Sequence, residues 1–386
     1  LTFRVSYSLT GTPPDASYCN ALTKLSMNTP YRPTTTDKEL GFVVAALGND
    51  ELTYEKKHEF NFGVDAGFFN NRLNVTFDVY QRRNFDEIAP TVTQLYGTAY
   101  ANVGSMKSWG EELSISSTNV KTNDFSWQTS LIYSHNRTEI TDLYNQGRVI
   151  DLVQGNGFAK QGYPARALFS IPFVGVNEKG YPVCINEKGQ ATVGDLNFQE
   201  RNNTDYLIYE GSTDPIYNGS LGNTFNYKGF HLNLFLTYAF GNVVRLDPVF
   251  KAKYNDLTSM THDFKNRWMQ PGDENVTNVP GVVSRYEYEQ NRTLLSTAYN
   301  AYNYTSVRTA KGDFIRLKEI SLAYDFPHRW LENSPVNNIS LKLQATNLML
   351  LYADKKLNGQ DPEFMNAGGV ASPMPKQFTL TLKLGL

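Results

Sequence analysis

Apolar and polar residues alternate with a period of two along much of this chain. Leu1, Phe3, Val5, Tyr7 and Leu9 fall on one face of an extended segment, and Thr2, Arg4, Ser6 and Ser8 on the other. The same alternation runs through Phe60 to Phe68, Leu73 to Val79, Leu113 and Ile115, Phe125 to Tyr133, Phe230 to Phe240, Ile339 to Ala345, and Phe378 to Leu386. Two less regular segments, near 217–228 and 313–327, bring the predicted strands to ten. One of these breaks phase. Under strict alternation Arg316 and Lys318 share a face with Ile320, which requires either a bulge or a first stretch that stands above a membrane surface.

The connections carry a second pattern. Four are short: around Asn70-Asn71, Lys121 to Asp124, Tyr227-Lys228-Gly229, and Arg329 to Asn337. Five are long, at roughly 12–54, 88–107, 141–216, 246–312 and 354–375, and long and short alternate throughout. A chain that crosses a bilayer back and forth, with tight turns on one side and large loops on the other, produces this order. The expected fold is therefore all-β, an antiparallel transmembrane barrel. Its strands, of about 10–16 residues, exceed the roughly 9–11 needed to cross at a tilt. Aromatic residues gather toward strand ends, at Phe68, Phe69, Trp109, Trp127, Tyr227, Phe230, Tyr324, Phe326 and Tyr352, as interfacial girdles require. Ten strands with free edges cannot stand in lipid, where unpaired backbone groups find no water. Residues 1–386 are accordingly expected to be one piece of a larger barrel, with the remaining strands upstream.

Composition adds exclusions. The chain has 24 Tyr, 23 Phe and 4 Trp, yet its mean hydropathy is negative and no apolar run approaches the roughly 18 residues of a membrane helix. Its 36 basic residues nearly balance 38 acidic ones, which points to no nucleic acid partner. No GxSxG, HExxH or Walker loop occurs. Histidines 58, 135, 231, 262 and 328 show no ligand spacing, and the adjacent Glu111 and Glu112 point to opposite faces of a strand. An enzyme is not expected, nor a cofactor or metal. Cys19 and Cys184 both fall in long loops, and whether they pair is open.

Substrate contact is expected in the long loops. Tyr286, Tyr288, Tyr299, Tyr302 and Tyr304 crowd one of them together with Asn291, Asn300 and Asn303, and Trp268 precedes them. Aromatic faces beside amides suit sugar rings or peptide backbones. The alternative is that these residues pack a small core of the loop itself. A repeat, Gly175 to Gly180 echoed by Cys184 to Gly189, predicts two tight turns, each closed by a glycine after Asn-Glu-Lys.

Particular stretches resemble the SusC/RagA family of TonB-dependent outer-membrane transporters. They are Asn102 to Met106, Gly110 to Ser114, Asp124 to Trp127, Tyr227 to Phe230, Phe240-Gly241-Asn242, Arg267-Trp268 with Pro271-Gly272-Asp273, Asp313 to Tyr324, Thr346-Asn347-Leu348 and Asp361-Pro362-Glu363. They follow in the family's order from about Gly48 onward. The resemblance implies the last ten strands of a barrel of roughly 22, with long loops outside the cell and short turns in the periplasm. It implies a plug, absent from these residues, and a location in the outer membrane of a Bacteroidetes-like Gram-negative bacterium. It also implies a SusD-like surface lipoprotein, energy from TonB, import of oligosaccharides or peptides, and a dimer of transporter–lipoprotein pairs. Leu386 departs from the pattern, since such barrels commonly finish on an aromatic residue. Two rival readings are a passive porin, which only the resemblance opposes, and a soluble β-rich glycan-binding protein or hydrolase, which the loop alternation opposes.

Overall fold

The computed structural model describes residues 1–15, 19, 22–28, 41–46, 48–49, 51–93, 97–144, 146–255, 260–332, 335–365 and 375–385. Ten strands form one antiparallel sheet in chain order. They are β1 (Thr2–Thr12), β2 (Glu55–Phe68), β3 (Leu73–Thr93), β4 (Gly97–Lys121), β5 (Phe125–Leu143), β6 (Tyr217–Tyr227), β7 (Phe230–Phe240), β8 (Phe314–Asp325), β9 (Asn338–Ala353) and β10 (Gln377–Gly385).

The register gathers the alternating residues into continuous rows. Phe3, Val64, Phe77, Leu113 and Tyr133 are successive cross-strand partners on one face. Leu131, Leu221, Leu236 and Leu317 form another row on that same face. The opposite face reads Arg4, Gly63, Asp78, Glu112, Ser134 and Asn218. Large apolar side chains such as Phe62, Leu343, Leu380 and Leu382 remain exposed on the apolar face. A face so continuous and uncovered is built for hydrocarbon. Glu112 lies opposite Asp78 on the polar face and Glu111 opposite Val79 on the other, as their adjacency requires.

Short turns close one end. Phe69, Asn70 and Asn71 adopt positive φ, and Lys228 (φ 45°) with Gly229 (φ 88°) joins β6 to β7. Two left-handed residues in a row suit the twist of a tight hairpin. The phase break in β8 is a bulge. Phe235 lies opposite Glu319 and Leu236 opposite Leu317, which leaves Lys318 as the extra residue. In β9 the same site carries Asn347 at φ 51°, a conformation asparagine tolerates. The bulge returns Ile320 to the apolar face and Arg316 to the polar one.

One expected loop is corrected. The connection placed at 88–107 is largely strand, because β3 and β4 stay paired as far as Thr93 and Gly97. Irregular pairing between Asn84 and Ile88, with Asp86 at φ 57°, breaks the alternation there and hides the continuation from the sequence. The connection at 12–54 likewise contains a hairpin, Lys24–Asn28 with Gly41–Ala46. The terminal Leu386 lies outside the described residues.

The apolar face has a polar interruption near the short-turn end. The Asn223 Oδ1 accepts from the Trp127 indole (2.9 Å) and from the Thr129 hydroxyl (2.8 Å). The Asn119 amide donates to Thr129 (2.7 Å) and its Oδ1 accepts from Ser117 (2.8 Å). Hydrocarbon offers no partners, so these groups partner one another.

In the full-length protein, Leu236→Arg on the apolar face is expected to destabilise by about 2–4 kcal/mol. Gln344→Arg on the polar face is expected to change stability by less than about 0.5 kcal/mol. Denaturant titration in lipid vesicles, followed by the mobility shift of unfolded barrels, reads both. Equal effects would mean that the faces are assigned wrongly.

Candidate functional site

The polar face is a wall of fixed, mutually bonded side chains. The Arg4 guanidinium bridges Asp65 (2.7 Å) and Asp78 (3.1 Å), and the Thr76 hydroxyl donates to Asp65 (2.9 Å). Glu59 is held by Arg82 (3.0 Å) and Lys57 (3.1 Å). His231 joins Asn226 (2.6 Å) to Asp325 (2.9 Å). Asn74, Thr76, Asp78, Gln128, Ser130, Lys342 and Gln344 share this face, as their phase predicts. Such a surface suits a hydrated path and not a packed core.

Above the wall, the long connections fold into a layer with cores of its own. Helix α1 (Val149–Val153) packs Val149, Leu152 and Val153 against Phe169, Ile171, Cys184, Leu196 and Leu207. Strand Ala167–Ser170 pairs with Ile208–Ser212, and Pro182–Ile185 pairs with both Phe173–Val176 and Ala191–Thr192. The Asn-Glu-Lys-Gly repeat makes the two tight turns expected. Asn177 Oδ1 accepts from the backbone N–H of Lys179 and Tyr181, and Asn186 Oδ1 from those of Lys188 and Gln190.

Arg245 ties this layer together. Its buried guanidinium donates to the carbonyls of Val153 (3.2 Å), Thr305 (2.8 Å) and Phe169 (2.6 Å), and to the Ser170 hydroxyl (3.1 Å). Burial brings its pKa down to about 10, still charged at neutral pH. Three chain segments far apart in sequence therefore share one cation. Cys184 is a free, buried thiol whose pKa is pushed up to about 12 by burial, and Cys19 is free and exposed, so the two are not joined.

The structure separates the predicted contact residues. Tyr299 and Tyr302 are only 1% and 2% exposed. Tyr299 donates its hydroxyl to the Gly281 carbonyl, and Tyr302 packs against Phe173 (5.5 Å) and Phe250 (5.1 Å). Both form core for the loop layer. Tyr304 sits edge-on to Phe198 (6.2 Å) and borders a hollow of about 230 Å³ shared with Arg245, Asp247 and Met365. The Trp268 indole donates to Glu274 (3.0 Å), and its ring lies where a side chain at Gly180 or Gly281 would collide. Tyr286 is 78% exposed.

Tyr288 lines an open groove together with Asn300, Asn303 and the nearly sealed Tyr299. Helices α2 (Arg285–Gln290) and α3 (Arg292–Asn303) and the segment after Arg245 enclose about 280 Å³ among Pro248, Lys251, Lys253, Tyr288, Ser296 and Asn300. Tyr288 and Ser296 hydroxyls are 3.2 Å apart, and the Lys253 ammonium lies 5.9 Å from the Tyr288 ring centre. Ser296, then Arg292 and Lys253, holds the Tyr288 phenol below its ordinary pKa. Asn303 is committed elsewhere, bonded to both backbone groups of Phe250 and to the Tyr299 carbonyl. The two lysines escaped the sequence reading, because an isolated Lys-Ala-Lys gives no sign of which helix it will face.

The chain is 26% identical over 381 residues to "TonB-dependent receptor P39" of Formosa agariphila, covering 86% of this chain and 35% of that protein. It is 26% identical over 356 residues to "TonB-dependent receptor SusC" of Bacteroides thetaiotaomicron, covering 88% and 32%. Over most of its length the chain is similar to SusC-type TonB-dependent receptors. It spans about a third of the length of these curated relatives (35% and 32%). No family model matches. A solved structure of the RagAB peptide transporter superposes with a TM-score of 0.74 and 24% identity, over 99% of this chain and 40% of that one. The superposition shows that the two chains share a fold, a wall of antiparallel strands, and the sequence similarity to TonB-dependent receptors places this wall in the Gram-negative outer membrane. The loop layer then lies on the cell's outer side.

Arg245→Met is expected to leave three carbonyls unpaired and cost the loop layer about 3 kcal/mol or more. Cys184 reports it: in the full-length protein at pH 8 a maleimide should label Cys19 at once and Cys184 only when Arg245 is replaced. Labelling of Cys184 at equal rates in both proteins would contradict the role given to Arg245. A pH effect also follows. Arg148 holds Asp151 below its ordinary value of 3.8, so this pair's contribution is present above about pH 4 and lost as pH falls through the lower, folded value. Asp151→Asn should narrow the stability gap to wild type on acidification. A gap that widens below pH 4 would reverse the assignment.

Proposed function

We propose that residues 1–386 are the C-terminal part of the wall and outer mouth of an active outer-membrane importer. The remaining strands and a plug belong to the rest of the protein. The observation that carries this reading is the sheet itself: apolar on one face, polar and ion-paired on the other, and open at β1 and β10. Open edges in lipid demand further strands, and the relatives extend well beyond the length matched here.

The polar face lines the solute path, and the loop layer forms the receptor surface outside the cell. Solute is an oligosaccharide or a peptide. Capture is shared with a SusD-like lipoprotein seated on the loop layer, in a dimer of such pairs, and TonB supplies the energy that clears the plug. Outer-membrane lipid contacts the apolar face. No covalent chemistry is performed: the wall binds, hydrates and passes its cargo.

The test is uptake by cells carrying or lacking the full-length protein, with and without a protonophore. Loss of oligosaccharide or peptide uptake on deletion, and equal loss on collapse of the proton gradient, is the expected result. Uptake that depends on the protein but survives the protonophore would make the barrel a passive porin. A native protein of only 386 residues, by mass and N-terminal sequence, would sink the single-chain barrel.

A further inference from the structure

The groove between α2, α3 and the segment after Arg245 carries positive charge. Lys251 and Lys253 both line it, and among the described residues neither ammonium has a carboxylate within ion-pair distance. Four other cations of the layer, Arg148, Lys160, Arg166 and Arg308, each meet an acid within 3.5 Å. A third cation, Arg292, interacts with the Tyr288 hydroxyl at the same place. The floor offers neutral hydrogen-bonding groups, the Ser296 hydroxyl and the exposed Asn300 amide. Pro248 and the Tyr288 ring supply apolar surface.

Two ammonium groups that line one groove without an ion-pair partner raise the local concentration of anions and suit a carboxylate. The surrounding hydroxyl, amide and aromatic groups suit a polar chain that carries the charge. A neutral sugar or an uncharged peptide would use the floor and leave both lysines idle.

We infer that this groove selects a carboxylate-bearing part of the imported solute, held by Lys251 and Lys253 with Ser296 and Asn300 beside them. The inference rests on the importer reading above and narrows it to acidic cargo. A uronic acid and an acidic peptide share the chemistry, so both are tested. The volume, about 280 Å³, accommodates one or two units of either.

The experiment measures binding and uptake by cells expressing the full-length protein. Three probes are compared: a uronic-acid tetrasaccharide, its carboxyl-reduced neutral counterpart, and a tetrapeptide containing two glutamates. Lys251→Gln with Lys253→Gln is compared with wild type and with the double arginine variant. At least one acidic probe should bind about tenfold more weakly to the glutamine variant. That probe's binding to wild type should fall with salt, binding to the arginine variant should stay near wild type, and the neutral probe should be unaffected. The acidic probe that responds identifies the source of the carboxylate. If the glutamine variant binds both acidic probes as well as wild type, or if wild type takes up only the neutral probe, the groove assignment is overturned while the importer stands. If protein-dependent uptake of every probe is absent while other oligosaccharides or peptides are still imported, the groove assignment falls and the importer stands; if none is imported, both readings fall.

Discussion

Backbone hydrogen bonding in a medium without water is the constraint on which the rest of this structure depends. A strand in hydrocarbon must have each N–H and C=O satisfied by a neighbouring strand. The unbroken pairing from β1 to β10 meets that demand. Period-two alternation then follows, because a single sheet with lipid on one side and water on the other must divide its side chains by parity. Even the polar departures obey it: Asn223, Thr129, Asn119 and Trp127 face the apolar side only because they satisfy one another.

Conventional globular packing is found elsewhere, in the connections. The clusters around Phe169, Tyr299 and Val244 lie in the long loops, and Arg245 holds the first of them to the segments that follow β7 and α3. This division has a functional meaning. The wall is held by its ladder and is free to present a polar surface of Arg4, Asp65, Asp78 and their neighbours. The loop layer is held by its own cores and can vary its surface without disturbing the barrel.

Much of this was legible in the residues. Alternation placed ten strands and both faces, and the order of long and short connections placed the two ends. The slip at Arg316–Ile320 left two explanations open, a bulge or a stretch above the membrane, and the register shows the bulge, since parity cannot change within an unbroken ladder. Where two structures share one pattern, legibility failed. The extension of β3 and β4 through 88–107 passes two irregularities and leaves no readable alternation. The tyrosine-rich loop illustrates the other limit. Composition alone does not tell Tyr299, sealed in a core, from Tyr288, open on a groove eleven residues earlier, because helical phase against distant segments decides the matter. Arg245 was missed for the same reason: its partners lie 60 to 92 residues away.

The most direct test of the central claim is hydrogen exchange at the two sheet edges, in the native protein extracted from outer membranes. Half of the backbone amides of β1 and β10 point away from β2 and β9, and among the described residues no strand pairs with them. If these strands belong to a closed outer-membrane barrel, those amides will exchange as slowly as the inward-paired ones, because further strands cover both edges. Rapid exchange confined to the outer edges of Thr2–Thr12 and Gln377–Gly385 would show an open sheet and contradict the account.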